Sequence, residues 1–206
     1  FYLPADLLED FMKGNPWSVP RGVPGSHSTK LIFDTLIKFH NNGVLSCPQF
    51  DKSLRNGLGD RSCWHESHPQ IVILEGWFVG CLPINQSIYN LNSEPSLFPE
   101  LLYSEKEYRV KVQQNLSEYI KIWQLFSRLW HLKPKEFNYT SRWKREQEED
   151  MYISKGSALR GDQLNSFIRM INSSIPQISF SQISSDVKVL INKDRYIIDF
   201  ALSSSN

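Results

Sequence analysis

Four short stretches of the sequence combine residue types that can hold or stabilise negative charge. Arg21-Gly22-Val23-Pro24-Gly25-Ser26-His27 is a stiff, turn-rich run that feeds a helix start. Free N–H groups there attract an anion, and Arg21 can add a two-pronged contact to a carboxylate or phosphate. The same Gly/Pro pattern also makes ordinary helix entries. Phe50-Asp51-Lys52-Ser53, followed by Arg55, Gly57, Gly59, Asp60 and Arg61, mixes two acids with three cations around two glycines. That set suits a small charged molecule approached closely by backbone, or a solvated loop. Ile71-Val72-Ile73-Leu74-Glu75-Gly76 puts a carboxylate at the end of an aliphatic run, where open α/β sheets bind ligands and where Glu75 can reach Mg²⁺ through water or pair with a neighbouring base. Arg142-Trp143-Lys144-Arg145-Glu146-Gln147-Glu148 is a cationic cluster on a helical stretch, fit either to close over a transferring phosphoryl group or to form salt bridges one turn apart. Cys63-x-His65-x-x-His68 has zinc-ligand residue types but no evident fourth ligand.

The elements that must carry these residues follow from periodicity. Ser26 as N-cap with Leu31, Ile32, Leu36 and Phe39 at helical spacing predicts a helix from about His27 to His40, after an ordered loop at Lys13 to Gly25. Val44 to Cys47 reads as a short strand ended by Pro48, and polar Gln49 to His68 as a long functional loop. Ile71 to Leu74, lacking polar alternation, predicts a strand buried on both faces. Tyr108, Val112, Leu116, Tyr119 and Trp123 predict one long amphipathic helix from about Glu105. Arg128 to Lys133 reads as a strand stopped by Pro134, although the preceding helix could also continue to Trp130. Leu164, Phe167, Ile168 and Ile171 mark a helix; Val187 to Ile191 and Tyr196 to Leu202 a hairpin; Ser203 to Asn206 a frayed tail. The aromatics Tyr119, Trp123, Phe126 and Trp130 read as core.

Composition narrows the function classes. The 206 residues hold 23 Lys+Arg against 22 Asp+Glu, a formal charge of +1, which argues against a general nucleic-acid clamp. A hydrophobic content of 40% supports a packed core and argues against disorder. Cys47, Cys63 and Cys81 are odd in number and contain no CxxC, so a disulfide framework is not indicated and a reducing cytoplasm fits. The longest apolar runs fall short of the roughly 20 residues that cross a bilayer.

Taken in order, these stretches resemble the D-glycerate 3-kinase-like family of P-loop kinases, its plant and cyanobacterial members included. Phe1-Tyr2-Leu3 looks like the end of the family's Asp-Asp-Phe-Tyr segment and Arg21 to His27 like its Arg-Gly-x-Pro-Gly-Thr-His-Asp loop. Phe50 to Arg61 resembles Phe-Asp-Lys-Ser/Ala…Gly-Arg-Gly-Asp-Arg, Leu74 to Gly80 resembles Glu-Gly-Trp-x-x-Gly, and Trp143 to Glu148 resembles Trp-Arg-x-Gln-x-Glu. Ser26, Ser28, Leu58 and Lys144 depart from the family's Thr, Asp, Arg and Arg.

The resemblance implies an α/β, P-loop NTPase-like three-layer fold with a mostly parallel sheet, here without its first strand, P-loop and first helix. Residues 1–206 would then form a single domain, incomplete at its N-terminus, with a lid region at about 100–160. It implies an ATP-dependent phosphotransferase using ATP and Mg²⁺ on a small hydroxy-acid such as D-glycerate, with no nucleic-acid or membrane partner, in the cytoplasm or the stroma of a plant chloroplast. Tyr2, Arg21, His27, Asp51, Lys52, Asp60 and Arg61 would then surround the hydroxy-acid; Glu75 and Gly76 would serve the nucleotide, Glu75 through the metal; Arg142 and Lys144 would meet the transferring phosphoryl group. The sequence contains no GxxxxGK[ST], whose amides and Lys would hold the β- and γ-phosphates. In the family that loop and the general-base Asp lie upstream of Phe1, so the chain reads as acceptor-binding and lid parts, inactive as it stands. The alternatives are a non-catalytic binding relative and a kinase of a nucleoside or pantothenate. A parallel sheet lacking part of its centre should expose apolar surface and be marginally stable alone.

Overall fold

The structure, a computed structural model, describes residues 1–84 and 97–202; the tail at Ser203 to Asn206 lies outside them. The chain begins with α1 (Ala5–Met12) and α2 (Thr29–Asn42), then β1 (Leu45–Asp51), a 3₁₀ turn (Arg55–Gly57) and β2 (Asp60–Ser67). After the 71–84 segment come α3 (Tyr103–Ser117), α4 (Ile120–Trp123), β3 (Trp130–Pro134), α5 (Tyr139–Lys155), α6 (Gly161–Ser174), α7 (Gln177–Ser181), β4 (Val187–Ile191) and β5 (Ile197–Leu202). This is an α/β chain with two sheets among the described residues. β1 and β2 form an antiparallel ribbon, and β3 pairs parallel with β4, which pairs antiparallel with β5.

Local chemistry explains most boundaries. Ser28, rather than Ser26, caps α2: its Oγ accepts from Leu31 N at 3.3 Å, and the helix closes at Gly43, whose φ of +71° lets its N–H reach Phe39 O. Ser26 is spent inside the loop, donating to Val23 O at 2.6 Å. The predicted long helix breaks in two because Glu118 N and Tyr119 N bond three residues back, to Asn115 O and Leu116 O, tightening the turn. The break buries Tyr119, whose hydroxyl then serves the 21–27 loop.

Two strand readings are corrected. Gln49 to His68 is not a loop: β1 runs through Pro48, which is tolerated because the ladder shifts register between Pro48 and Phe50, and β2 returns opposite it. The polar, largely exposed β2 shows no hydrophobic alternation, so its sequence hides it. Ile71 to Leu74 is not a strand buried on both faces. It belongs to no ladder among the described residues, and Ile71 and Ile73 are 77% and 84% exposed. Across from it, β3 is an edge strand with Trp130 and Leu132 exposed. Between the two lies a groove of about 2040 Å³ lined by both.

Two apolar clusters hold the helices. Val112, Leu116, Tyr119 and Ile122 pack with Ile32, Phe78, Cys81, Ile175 and Ile183; Leu8, Met12, Trp17, Val19, Val23 and Met170 form the other. Trp77 and Tyr108 pack against both and join them. A buried polar knot fastens α3 to α6. The Glu105 carboxylate, 1% exposed, accepts from Arg169 at 2.5 and 2.7 Å, from Trp17 Nε1 at 2.9 Å and from Ser173 Oγ at 3.0 Å. Arg109, fully buried one turn on, donates to Ser173 O at 2.6 Å.

Candidate functional site

The 21–27 loop is rigid because its own polar groups close on it. Gly22 N donates to Ser26 Oγ, Gly25 N to Tyr119 Oη at 2.9 Å and Ser28 N to Phe1 O. A side chain at Gly25 would be strained: φ is +99°, and an added Cβ would sit 2.4 Å from the Phe11 ring and 2.6 Å from the Asn115 amide, both of which would have to move. With these amides engaged, the capacity of the loop for an anion rests on Arg21 rather than on free N–H groups. The Arg21 guanidinium donates to Gly57 O and Leu58 O at 3.0 and 2.8 Å and lies 5.8 Å over the Phe50 ring. It therefore ties the helix-entry loop to the turn of the β1–β2 ribbon.

Around Arg21 the ribbon and α5 bring further cations. The Lys52 ammonium is held below its ordinary value by partial burial first, then by Arg21 and Lys144, with Glu148 opposing and Lys155 adding to the depression. Lys144, largely buried, lies 4.8 Å over the Phe167 ring and bonds Glu148 at 2.5 Å and Gln147 at 3.1 Å. Lys52 thus feels the charges of Arg21, Lys144 and Lys155, with Glu148 as the opposing charge, and a region of that sign attracts a carboxylate or phosphate. Lys155 lies outside the quoted motifs, whereas Glu148 ends the one that begins at Arg142. They follow Lys144 by eleven and four residues, which puts all three on one stripe of an α-helix.

Of these three, Lys144 lies in the wall of the large groove. Lys144, Trp143 and Gln147 line it together with Glu75, Gly76, Trp77 and the 71–74 run. Glu75 is exposed and makes no hydrogen bond or ion pair among the described residues, so its carboxylate is available to a ligand. Arg21 does not line this groove. The Trp77 indole bridges the two regions, donating to Gly22 O at 2.9 Å.

The remaining motif residues divide by role. Tyr2 and His27 form an isolated bridge, and their rings stack at 4.5 Å, with Phe50 4.9 Å from Tyr2. Arg61 Nε donates to Tyr2 O at 2.9 Å, while its enclosed Nη2 has no partner and is a donor in reserve. Asp60 is occupied: its Oδ1 accepts from Ala5 N at 3.0 Å, capping α1, and from Arg61 N at 2.8 Å, and its Oδ2 pairs with Arg55 at 3.3 Å. Asp51 accepts from Ser53 N and Oγ and shapes the ribbon's end. Arg142 and Lys144 are separated. Residues two apart lie about 200° around a helix, so while Lys144 faces the groove, Arg142 pairs outward with Glu146 at 2.6 Å and with Asp194 at 3.5 Å. Cys63 donates to Gln49 Oε1, and among the described residues no three of His, Cys, Asp and Glu gather as a metal site.

His27 carries a pH dependence. Burial lowers its pKa to about 3, so the ring stays neutral beside Tyr119 Oη at 3.2 Å. In the unfolded chain it would titrate near 6.5. Between those values the unfolded state binds the proton that the folded state refuses, so stability is present above about 6.5 and is lost as pH falls. Urea midpoints should show about 2 kcal/mol lost between pH 7 and 5 through this group, and His27→Phe should flatten that part of the curve. Parallel curves for the two proteins would refute the assignment.

No family profile matches the chain. It is 28% identical over 191 residues to the uncharacterized kinase mug58 of Schizosaccharomyces pombe, covering 87% of this chain, and 26% identical to the probable ATP-dependent kinase TDA10 of Saccharomyces cerevisiae, covering 82%. The chain spans 66% and 60% of the length of these curated relatives. Among solved structures it superposes on a D-glycerate 3-kinase from Cryptococcus neoformans var. grubii with a TM-score of 0.81 at 24% identity, over 98% of this chain and 77% of that one. The YGR205w protein gives 0.74 at 23%, over 100% and 76%. The fold is thus similar to that of a D-glycerate 3-kinase, and the sequence is similar to those of ATP-dependent kinases. No helix among the described residues is long and apolar enough to cross a membrane.

Proposed function

We propose that these residues form the acceptor-binding and lid portion of an ATP-dependent kinase acting on a small anionic hydroxy-acid, D-glycerate being the acceptor the resemblance favours. The observation that carries this reading is that Lys144 shares a groove with the unpartnered Glu75, while Lys52 feels the charges of both Lys144 and Arg21. A hydroxy-acid presents a carboxylate to such cations and a hydroxyl to whatever lies beyond them. In this reading Arg21, Lys52 and the spare Arg61 donor hold the carboxylate, and Tyr2, His27 and Phe50 give the pocket a dry aromatic side. Lys144 spreads the charge that develops on the phosphoryl oxygens, the dominant catalytic contribution in phosphoryl transfer.

ATP and Mg²⁺ belong to the same proposal. The free carboxylate of Glu75 is the hard oxygen donor that Mg²⁺ takes, usually alongside water and substrate phosphates; Glu75 would hold the ion, which neutralises phosphate charge when bound. The chain has no GxxxxGK[ST] to cradle those phosphates. A phosphate-binding loop on a further strand fits the space between Ile71–Leu74 and β3, because both walls offer unladdered backbone and exposed aliphatic side chains. The loop's end would emerge beside Glu75.

The test is ADP release by the natural gene product, with D-glycerate, other hydroxy-acids, nucleosides and pantothenate offered as acceptors. Turnover confined to hydroxy-acids is expected, and turnover with nucleosides or pantothenate alone would move the acceptor assignment. A non-catalytic binder that uses the same cationic, anion-attracting region is the second reading. It predicts hydroxy-acid binding in calorimetry without any ADP release.

A further inference from the structure

The turn joining β4 to β5, residues 192–195, touches the groove-lining helix in a way that the proposed chemistry does not by itself require. Trp143 Nε1 donates to Lys193 O at 2.8 Å. Arg195 Nη2 donates to Trp143 O at 3.3 Å and pairs with Glu146 at 3.1 Å, and its guanidinium lies 5.9 Å over the Trp143 ring. Arg142 completes the set by pairing with Asp194 at 3.5 Å. Three successive residues of the turn thus hold three residues in the first half of α5. Lys144, the cation facing the groove, is the next residue after the one held most fully.

The backbone of the turn supports a role beyond connection. Asn192 Oδ1 accepts from Asp194 N at 3.0 Å and from Tyr196 N at 2.9 Å, and Arg195 N donates to Asn192 O at 3.0 Å, which fixes a tight hairpin. This geometry puts Arg195 at φ +65°, in the left-handed region that glycine adopts without steric cost and an arginine does not. A long cationic side chain at that position is a cost to the turn itself, offset by what its guanidinium reaches on another element.

The helix it reaches needs such fastening. Of the seventeen residues of α5 only Glu148 is buried, so apolar packing fixes the helix weakly. Its position depends on polar ties: the turn on one side and, on the other, Arg145 with Asn165 at 3.1 Å and Ser141 with Asn172 at 2.9 Å. Removing the turn's ties leaves α5 free to roll about the second set, and a roll moves Lys144 relative to Glu75.

We propose that the β4–β5 turn is a latch on α5 and that Arg195 is a positioning residue, acting through Trp143 and Glu146 to set where Lys144 stands in the groove. The inference rests on the reading of Lys144 as a phosphoryl-facing cation and extends the site to an element outside every motif quoted above.

Arg195→Gly tests it cleanly, because glycine suits the backbone at that position and the variant is expected to melt no lower than the parent. Two measurements on the full chain separate the outcomes. Amide hydrogen exchange at residues 139–147 should quicken roughly tenfold, the size of a lost hydrogen bond with an exposed ion pair, while β4 and β5 stay protected. Arg195 itself lines the groove, so calorimetric affinity for inorganic tripolyphosphate is read in Glu146→Gln. That change breaks the Arg195–Glu146 tie without removing a groove cation, and the affinity should fall about as much. Unchanged exchange in Arg195→Gly overturns the latch. Faster exchange with parental affinity overturns the positioning role. If Lys144→Met leaves tripolyphosphate binding untouched, the reading of the site fails and takes the positioning role with it, whatever the exchange shows.

Discussion

Glu105→Ala is expected to lower the unfolding free energy by about 3–5 kcal/mol, the cost of leaving a buried cation uncompensated. The carboxylate is 1% exposed and accepts from Arg169, Trp17 and Ser173, besides Leu102 N at 2.9 Å. Burial alone would push its pKa up. Arg169, the Leu102 amide and the Trp17 indole outweigh that and hold it below the ordinary carboxylate value. The stability it contributes is therefore present above the unfolded carboxylate's titration range and is lost on acidification through its own lowered pKa. Arg169 also donates to Pro99 O at 2.6 Å and Glu100 O at 2.8 Å, so its loss of a counterion should loosen the approach to α3 as well. Urea denaturation at pH 7 measures the loss. The double variant Glu105→Leu with Arg169→Met should recover part of it, since an apolar pair strands no charge; a single-variant loss under 1 kcal/mol would show that the knot contributes little.

On the proposed kinase reading, Lys144→Met should cut kcat by about 10²–10³ with a smaller change in KM, because a cation aimed at developing charge acts mainly in the transition state. Methionine keeps the side chain over Phe167 but leaves the buried Glu148 carboxylate with only the Leu159 amide among the described residues, so unfolding midpoints must separate lost stability from lost chemistry. Arg142→Ala should change kcat only a few-fold, since its guanidinium faces Glu146 and Asp194 outside the groove. Equal effects of the two substitutions would contradict the separation of these residues described above. A preserved kcat in Lys144→Met would remove that residue from the chemistry.

The contrast between Arg142 and Lys144 marks what could be read from sequence and what could not. Both sit in one cationic motif, yet helical periodicity alone separates them by more than half a turn. The helix was legible, and the separation followed from it. Helix α2, β3 up to Pro134 and the β4–β5 hairpin also follow from caps, proline and alternation. The β1–β2 ribbon does not, because its second strand is stabilised by a ladder rather than by an apolar face and is polar at most positions. The Glu105 knot was invisible for a related reason. Charges in a helix read as solvent-facing, and only the tertiary arrangement shows that Glu105 and Arg109, one turn apart, both point inward. Ile71 to Leu74 reads as an interior strand because its composition is that of one; composition declares how many neighbours a strand wants, not whether the described residues supply them.

The facing edges of Ile71–Leu74 and β3, unladdered among the described residues and flanked by exposed isoleucine, tryptophan and leucine, bear on how these 206 residues behave when produced alone. Such backbone pairs with other extended segments, so recovery on refolding should fall as protein concentration rises, and a strand-forming peptide added early should raise it.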